Sequence, residues 1–64
     1  MNKNLDNRLY ILRSSNLPEE LRHKFVEADK LFIRDQNDEC EVIINEIERE
    51  CLVRNIFLYK PLAL

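Results

Sequence analysis

Residues 17–32 read LPEELRHKFVEADKLF, and this stretch decides the fold. Its apolar side chains recur every three or four residues, which places them on one face of an α-helix. The members of this face are Leu17, Leu21, Phe25, Ala28 and Phe32. Asn16 is the predicted N-cap, and Pro18 fits the first helical turn, where its missing N–H costs little. The pattern predicts a helix over about residues 17–34.

A second apolar face follows the polar break at residues 34–38. Its members also recur at helical spacing; they are Cys40, Ile44, Ile47, Cys51 and Leu58. Asp38 is the predicted N-cap, Glu41 follows it at capping-box spacing, and Pro61 is expected to end the helix. We expect a helix over about 38–59. The short break makes it an antiparallel neighbour of the first helix.

A shorter apolar face precedes both, formed by Leu5, Leu9 and Leu12. It predicts a helix over about 5–13, with Asn4 as its N-cap, that is too short to be stable unless it packs on the others. The chain has no glycine, which disfavours tight β-turns and agrees with helices. The expected fold is all-α, an antiparallel helical hairpin with a short N-terminal helix, in a single domain over residues 1–64.

Few residues in the sequence are candidates for catalysis or for metal or cofactor binding. Phosphate-binding loops and nucleophile elbows need glycine, and the chain has none. His23 is the only histidine, and one histidine with two cysteines cannot fill a four-ligand zinc site. Cys40 and Cys51 lie on the apolar face, where packing is their simplest role, and intermolecular bridging or redox sensing is the alternative. We therefore expect no enzyme activity, no catalytic residue, no cofactor and no metal.

Apolar segments are too short for a membrane span, since no unbroken apolar run exceeds the length of Ile56–Tyr59. The first residues also lack the apolar region of a signal peptide. Free thiols fit a reducing compartment. The sequence predicts a cytoplasmic protein without membrane contact.

The sequence contains more apolar side chains than a single helical hairpin can bury. Between Cys51 and Tyr59 only Arg54 and Asn55 are polar, so this stretch would be an apolar helix on nearly every side. Such a helix is buried by several neighbours, so we expect a homodimer forming a helical bundle and a surface for another protein. The alternative is a monomer in which the N-terminal helix covers the surplus. The predicted partner-binding residues are Val26, Leu31, Ile33, Val53, Ile56, Phe57 and Tyr59.

Residues 17–56 resemble the Sda family of sporulation histidine-kinase inhibitors, which are small helical hairpins. In the first arm the resemblance is carried by the run 17–21, LPEEL, and by Ala28. In the second arm it is carried by Asp38, Glu41, Ile43, the run 45–47 (NEI), Arg49, Leu52 and Ile56. The resemblance implies a protein without catalysis that binds the helical dimerisation domain of a sensor kinase and blocks its phosphorelay.

A second hypothesis is a small dimeric nucleic-acid-binding or nucleoid-associated regulator. It would use a basic stripe contributed by two chains, formed in each by Arg8, Arg13, Arg22, Lys24, Lys30 and Arg34. The net charge of −2 argues against this hypothesis. Seven of the twelve acidic residues lie in 35–64, where they form either a solvated helix face or an acidic patch that attracts a basic partner.

Overall fold

The computed structural model describes residues 2–60 and forms three α-helices over that range. They are α1 (Lys3–Ser14), α2 (Glu19–Ile33) and α3 (Asn37–Val53). The α2 and α3 helices pack as a hairpin along their length, and the shorter α1 packs on both. The all-α class and the hairpin with a shorter N-terminal helix are therefore confirmed. The helices extend over 30 × 29 × 15 Å, so the arrangement is flat.

One apolar core runs through all three helices. Each predicted face contributes to it, because residues three or four apart in a helix lie on the same side. Phe32 and Leu58 are only partly buried and pack at its margin. The buried members are Leu5, Leu9, Leu12, Leu17, Leu21, Phe25, Ala28, Cys40, Ile44, Ile47 and Cys51.

The helix starts differ from the predicted N-caps. The α1 helix is capped by Asn2, whose Oδ1 accepts a hydrogen bond from the Leu5 N–H at 3.1 Å, so the prediction of Asn4 is wrong. The α2 helix begins after Pro18 instead of at Asn16, because a residue that precedes proline is disfavoured in helical conformation. The α3 helix begins after Gln36, so Asp38 already lies inside it.

Neither α2 nor α3 has a side-chain cap hydrogen bond. Each instead carries two acidic residues in its first turn, Glu19 and Glu20 in α2 and Asp38 and Glu39 in α3. Carboxylates at a helix N-terminus are stabilised by the unpaired N–H groups there and by the helix dipole. These charges stabilise the two starts that lack a capping side chain.

The α3 helix ends at Val53, six residues before the predicted end at Tyr59. Asn55 adopts a left-handed conformation with φ 58°. The Ile56 N–H then donates to the Cys51 carbonyl at 2.8 Å, and the Asn55 N–H to the Leu52 carbonyl at 3.3 Å. These two bonds form a Schellman motif, which ends a helix by satisfying its last carbonyls. The prediction that 54–59 is helical is therefore wrong.

The α2 helix ends in the same way. Asp35 has φ 62°, and the Gln36 N–H donates to the Leu31 carbonyl at 2.9 Å. Glycine is the usual residue at such left-handed positions, and asparagine and aspartate are the residues that replace it most readily. The chain has no glycine, and within residues 2–60 Asp35 and Asn55 are the residues with positive φ.

The segment after α3, residues 56–60, is a tail without regular secondary structure that lies against the end of α1. Ile56 and Leu58 turn towards the core. The Tyr59 N–H donates to Ser15 Oγ at 2.8 Å, and the Tyr59 ring meets the Tyr10 ring edge-on with centroids 6.0 Å apart. The tail thus buries part of the surplus apolar surface without being helical. Pro61 lies outside the described residues.

Candidate interaction surface

The three helices bring one end of each together where α1 stops, α2 starts and α3 stops. Two contacts define this end of the molecule: an ion pair between Arg54 and Glu20, and the hydrogen bond from Tyr59 to Ser15. Beside these contacts the side chains of Leu52, Val53 and Phe57 are exposed to 82%, 72% and 85%. We call these three residues the end patch.

The predicted partner-binding residues lie at several separate places. Val53, Phe57 and Tyr59 lie at the end just described and are exposed. Leu31 and Ile56 are partly buried and pack against the core. An exposed role for these two residues would therefore require the core margin to open.

The remaining two predicted residues, Val26 and Ile33, lie at different positions along α2. Val26 is 49% exposed and lines a shallow depression of about 320 Å³ with Leu12 and Arg13 of α1. Ile33 is 76% exposed and lies at the opposite end of α2, beside Asn2. The structure therefore does not bring all seven predicted residues into one surface.

Among residues 2–60, Leu52 is the most exposed of the large apolar residues that the predicted set omits, and Tyr10 and Val42 are the others. Leu52 lies one position after the buried Cys51, so its side chain is turned by about 100° from the core direction. The helical wheel alone therefore places it outside the core. Val42, 57% exposed, also lies outside the core face, and it is separated from the end patch by most of the length of α3.

A charged cluster holds α1 against α3. The Arg8 guanidinium donates to Glu48 through Nε at 3.1 Å and through Nη2 at 2.7 Å, in bidentate geometry. It also donates to Asn45 and lies 3.5 Å from Glu41. The hydrogen bond to Glu48 raises the pKa of Arg8 above its ordinary value, although partial burial opposes this shift. Paired guanidinium and carboxylate groups of this kind also fix orientation, so they set the register of α1 on the hairpin.

Further ion pairs join the other helices. Arg13 of α1 lies 3.3 Å from Asp29 of α2, and Lys24 of α2 lies 3.3 Å from Glu46 of α3. Together with Arg8, these residues make up half of the predicted basic stripe, and each is paired with a carboxylate of the same chain. Much of the charge asymmetry is therefore neutralised between helices.

The setting of the two thiols disfavours their reactive form. Cys40 and Cys51 are buried, and desolvation raises the pKa of both thiols, which disfavours the reactive thiolate. His23 is exposed and lies 3.9 Å from Glu19. Across residues 2–60 no group of three His, Cys, Asp or Glu side chains is placed to hold a metal ion. In the same part of the chain, no helix combines the length and apolar character needed to cross a membrane.

No family model, curated protein or solved structure matches this chain. The resemblance to the Sda family therefore rests on the residue pattern of 17–56 alone. The structure has the helical hairpin that the resemblance implies. It differs in that Ile56, one of the residues that carry the resemblance, lies in the tail beyond α3.

Proposed function

We propose that this chain is a non-catalytic regulatory protein that binds another protein through exposed helical surface. The observation that supports this proposal is the end patch, in which three large apolar side chains close in sequence are each at least 72% exposed. Several large exposed apolar side chains near one end of a small domain are typical of a binding site. An aromatic residue such as Phe57 is a suitable anchor for it, because large side chains carry most interface energy.

The arrangement of charges supports a protein partner over a nucleic acid. Non-specific affinity for nucleic acid comes from basic side chains that neutralise phosphates. Here Arg8, Arg13 and Lys24 already bind carboxylates of the same chain, and phosphate binding would have to break those pairs. A nucleic-acid-binding regulator is therefore the second hypothesis.

The specific form that the Sda resemblance implies is inhibition of a sensor histidine kinase. In that form the chain would pack against the helical dimerisation domain of the kinase and block its phosphorelay. A homodimer in the cytoplasm is also part of this proposal, because the chain carries more apolar side chains than a single hairpin buries.

A capture experiment with matched variants tests the proposal. Immobilised wild type, Leu52→Ser/Phe57→Ser and Val42→Ser are exposed to extract from the native host, and the bound proteins are identified by mass spectrometry. All three positions are exposed, so each variant should keep wild-type stability to within about 0.5 kcal/mol per site. We expect a partner retained by wild type and Val42→Ser and lost by the double variant. Equal retention by all three would contradict the proposal.

Two direct assays separate the specific forms. Addition of the chain to a purified sensor kinase from the same host should lower autophosphorylation if the kinase form is right, and the double end-patch variant should not. Binding to a DNA duplex should be negligible. A DNA affinity that falls steeply between low and moderate salt would favour the nucleic-acid hypothesis instead.

A further inference from the structure

A depression of about 320 Å³ lies between the end of α1, the connection that follows it and the first half of α2. Its apolar lining consists of Leu12, Leu17, Phe25 and Val26. The first three belong to the core and are at most 9% exposed, whereas Val26 is 49% exposed. The depression therefore reaches the edge of the core, and none of the three end-patch residues lines it.

Arg22 lines the depression from the α2 side. It precedes Phe25 by three residues and Val26 by four, so the three side chains share one face of the helix. Arg22 is exposed, and within residues 2–60 it forms no ion pair, unlike Arg13 and Arg54. Its guanidinium is therefore available to a carboxylate from outside the chain.

Arg13 lines the depression from the α1 side. Its Nη2 lies 3.3 Å from Asp29 Oδ1, and its Cζ lies 5.8 Å from the centre of the Phe25 ring. These contacts hold the guanidinium beside the apolar lining. The side chain is still 55% exposed, and a guanidinium has five N–H donors, so Arg13 can bind a second carboxylate.

The charge of the lining is of one sign. Among residues 2–60, no acidic side chain lines this depression, while two arginines do. The nearest exception is Glu19, which lines a neighbouring depression that shares Arg22 and Val26. A complementary ligand therefore combines an apolar side chain with negative charge on either side of it.

We propose that the depression binds a segment of another protein in which a large apolar side chain is flanked by carboxylates. The apolar side chain packs on the lining, and burial of its surface supplies most of the affinity. The carboxylates accept hydrogen bonds from Arg13 and Arg22, and such charge-assisted bonds fix the orientation of the segment. This contact is separate from the end patch, so it adds to the proposed function without resting on it.

Direct titration with short capped peptides tests this proposal. The full-length labelled chain is titrated with acetyl-Glu-Phe-Glu-amide, and NMR follows the methyl groups of Leu12, Leu17 and Val26. We expect saturable shifts at these methyl groups. The Gln-Phe-Gln peptide should bind more weakly by about two- to fivefold for each ion pair lost, and the Lys-Phe-Lys peptide should be the weakest. The Glu-Ala-Glu peptide should bind about tenfold more weakly, because it lacks the large apolar side chain.

Two variants with a matched control locate the contact. Arg22→Gln should weaken binding of the Glu-Phe-Glu peptide by about two- to fivefold and leave binding of the Gln-Phe-Gln peptide unchanged. Arg49→Gln is the control, because Arg49 is also exposed and lies on α3, and it should bind like the wild type. The end-patch variant Leu52→Ser/Phe57→Ser should do the same, which separates this contact from the one in the proposed function.

Several results would overturn the proposal. One is equal binding of the Glu-Phe-Glu and Lys-Phe-Lys peptides; another is shifts that do not saturate or that lie away from the depression. Without peptide, nuclear Overhauser contacts to the Val26 methyl groups from residues 61–64, or from a second copy of the chain, would show a different occupant. Each of these results would leave the capture experiment on the end patch to be judged by itself.

Discussion

Replacing Asn55 by alanine and by glycine tests where α3 ends. In the structure Asn55 is exposed and has φ 58°, so neither substitution removes buried contacts. Alanine in the left-handed conformation costs roughly 1–2 kcal/mol. Glycine avoids that cost. The greater conformational freedom of glycine in the unfolded chain, however, lowers the stability of the glycine variant by about 0.5–1 kcal/mol. We therefore expect the glycine variant to be more stable than the alanine variant by about 0.5–1 kcal/mol.

If α3 instead continued past Val53, as the sequence pattern predicts, the alanine variant at position 55 would be more stable than the glycine variant. In a helix interior alanine is more stable than glycine by about 1 kcal/mol. Arg49, which is exposed and lies inside α3, provides the matched control, and there alanine should exceed glycine by about that amount.

Thermal unfolding followed by circular dichroism measures both pairs. A difference of 1 kcal/mol shifts the melting temperature of a domain this small by roughly 4–8 °C, well above the error of the measurement. We expect the sign of the glycine–alanine difference at Asn55 to be opposite to that at Arg49. The same sign at both positions would refute the Schellman motif and show that α3 continues past Val53.

Three further outcomes are expected. Ile47→Ala should lower the free energy of unfolding by about 2–5 kcal/mol in denaturant titration, because Ile47 is fully buried and a cavity remains; unchanged unfolding would mean that it is not in the core. The stability of the wild type should fall as the pH rises above about 9, because burial raises the thiol pKa of Cys40 and Cys51 and the folded state then disfavours the thiolate. A folded Cys40→Ala/Cys51→Ala variant should show a smaller fall and keep partner binding; an equal fall would mean that the thiols do not cause it. The hydrogen bond from Arg54 holds the pKa of Glu20 below its ordinary value, so the pair stabilises the fold near neutrality and this stabilisation is lost as the pH falls through the folded pKa. Glu20→Gln should therefore flatten the acid side of the plot of stability against pH, and an unchanged plot would mean that the pair has no effect in solution.

The starts and caps of the helices show the limit of reading a local pattern. Asn4, Asn16 and Asp38 have side chains that suit an N-cap, but α1 is capped by Asn2, and α2 and α3 begin without a side-chain cap. Each observed start lies within two residues of the predicted one. The choice between adjacent positions depends on the route of the connection into the helix. That route is set by packing, as at Gln36, where the turn that ends α2 leads directly into α3.

The candidate surface was also only partly predictable. The pattern indicated that apolar side chains exceed what the hairpin buries, and the exposure of Val53 and Phe57 agrees with that expectation. It did not indicate which members of the surplus would be covered. Ile56 and Leu58 turn inward while Phe57 between them is exposed, and this alternation is that of an extended chain, not of a helix.

The sequence by itself determined the three apolar faces and hence the all-α hairpin, because helical periodicity depends only on the spacing of residues along the chain. The tertiary structure alone decided that α3 stops at Val53 and that residues 56–60 lie against the end of α1. Ile56 and Leu58 reach the core from this segment, and the left-handed turn at Asn55 directs it there. Such contacts join residues far apart in the chain, so the local spacing of residues does not reveal them.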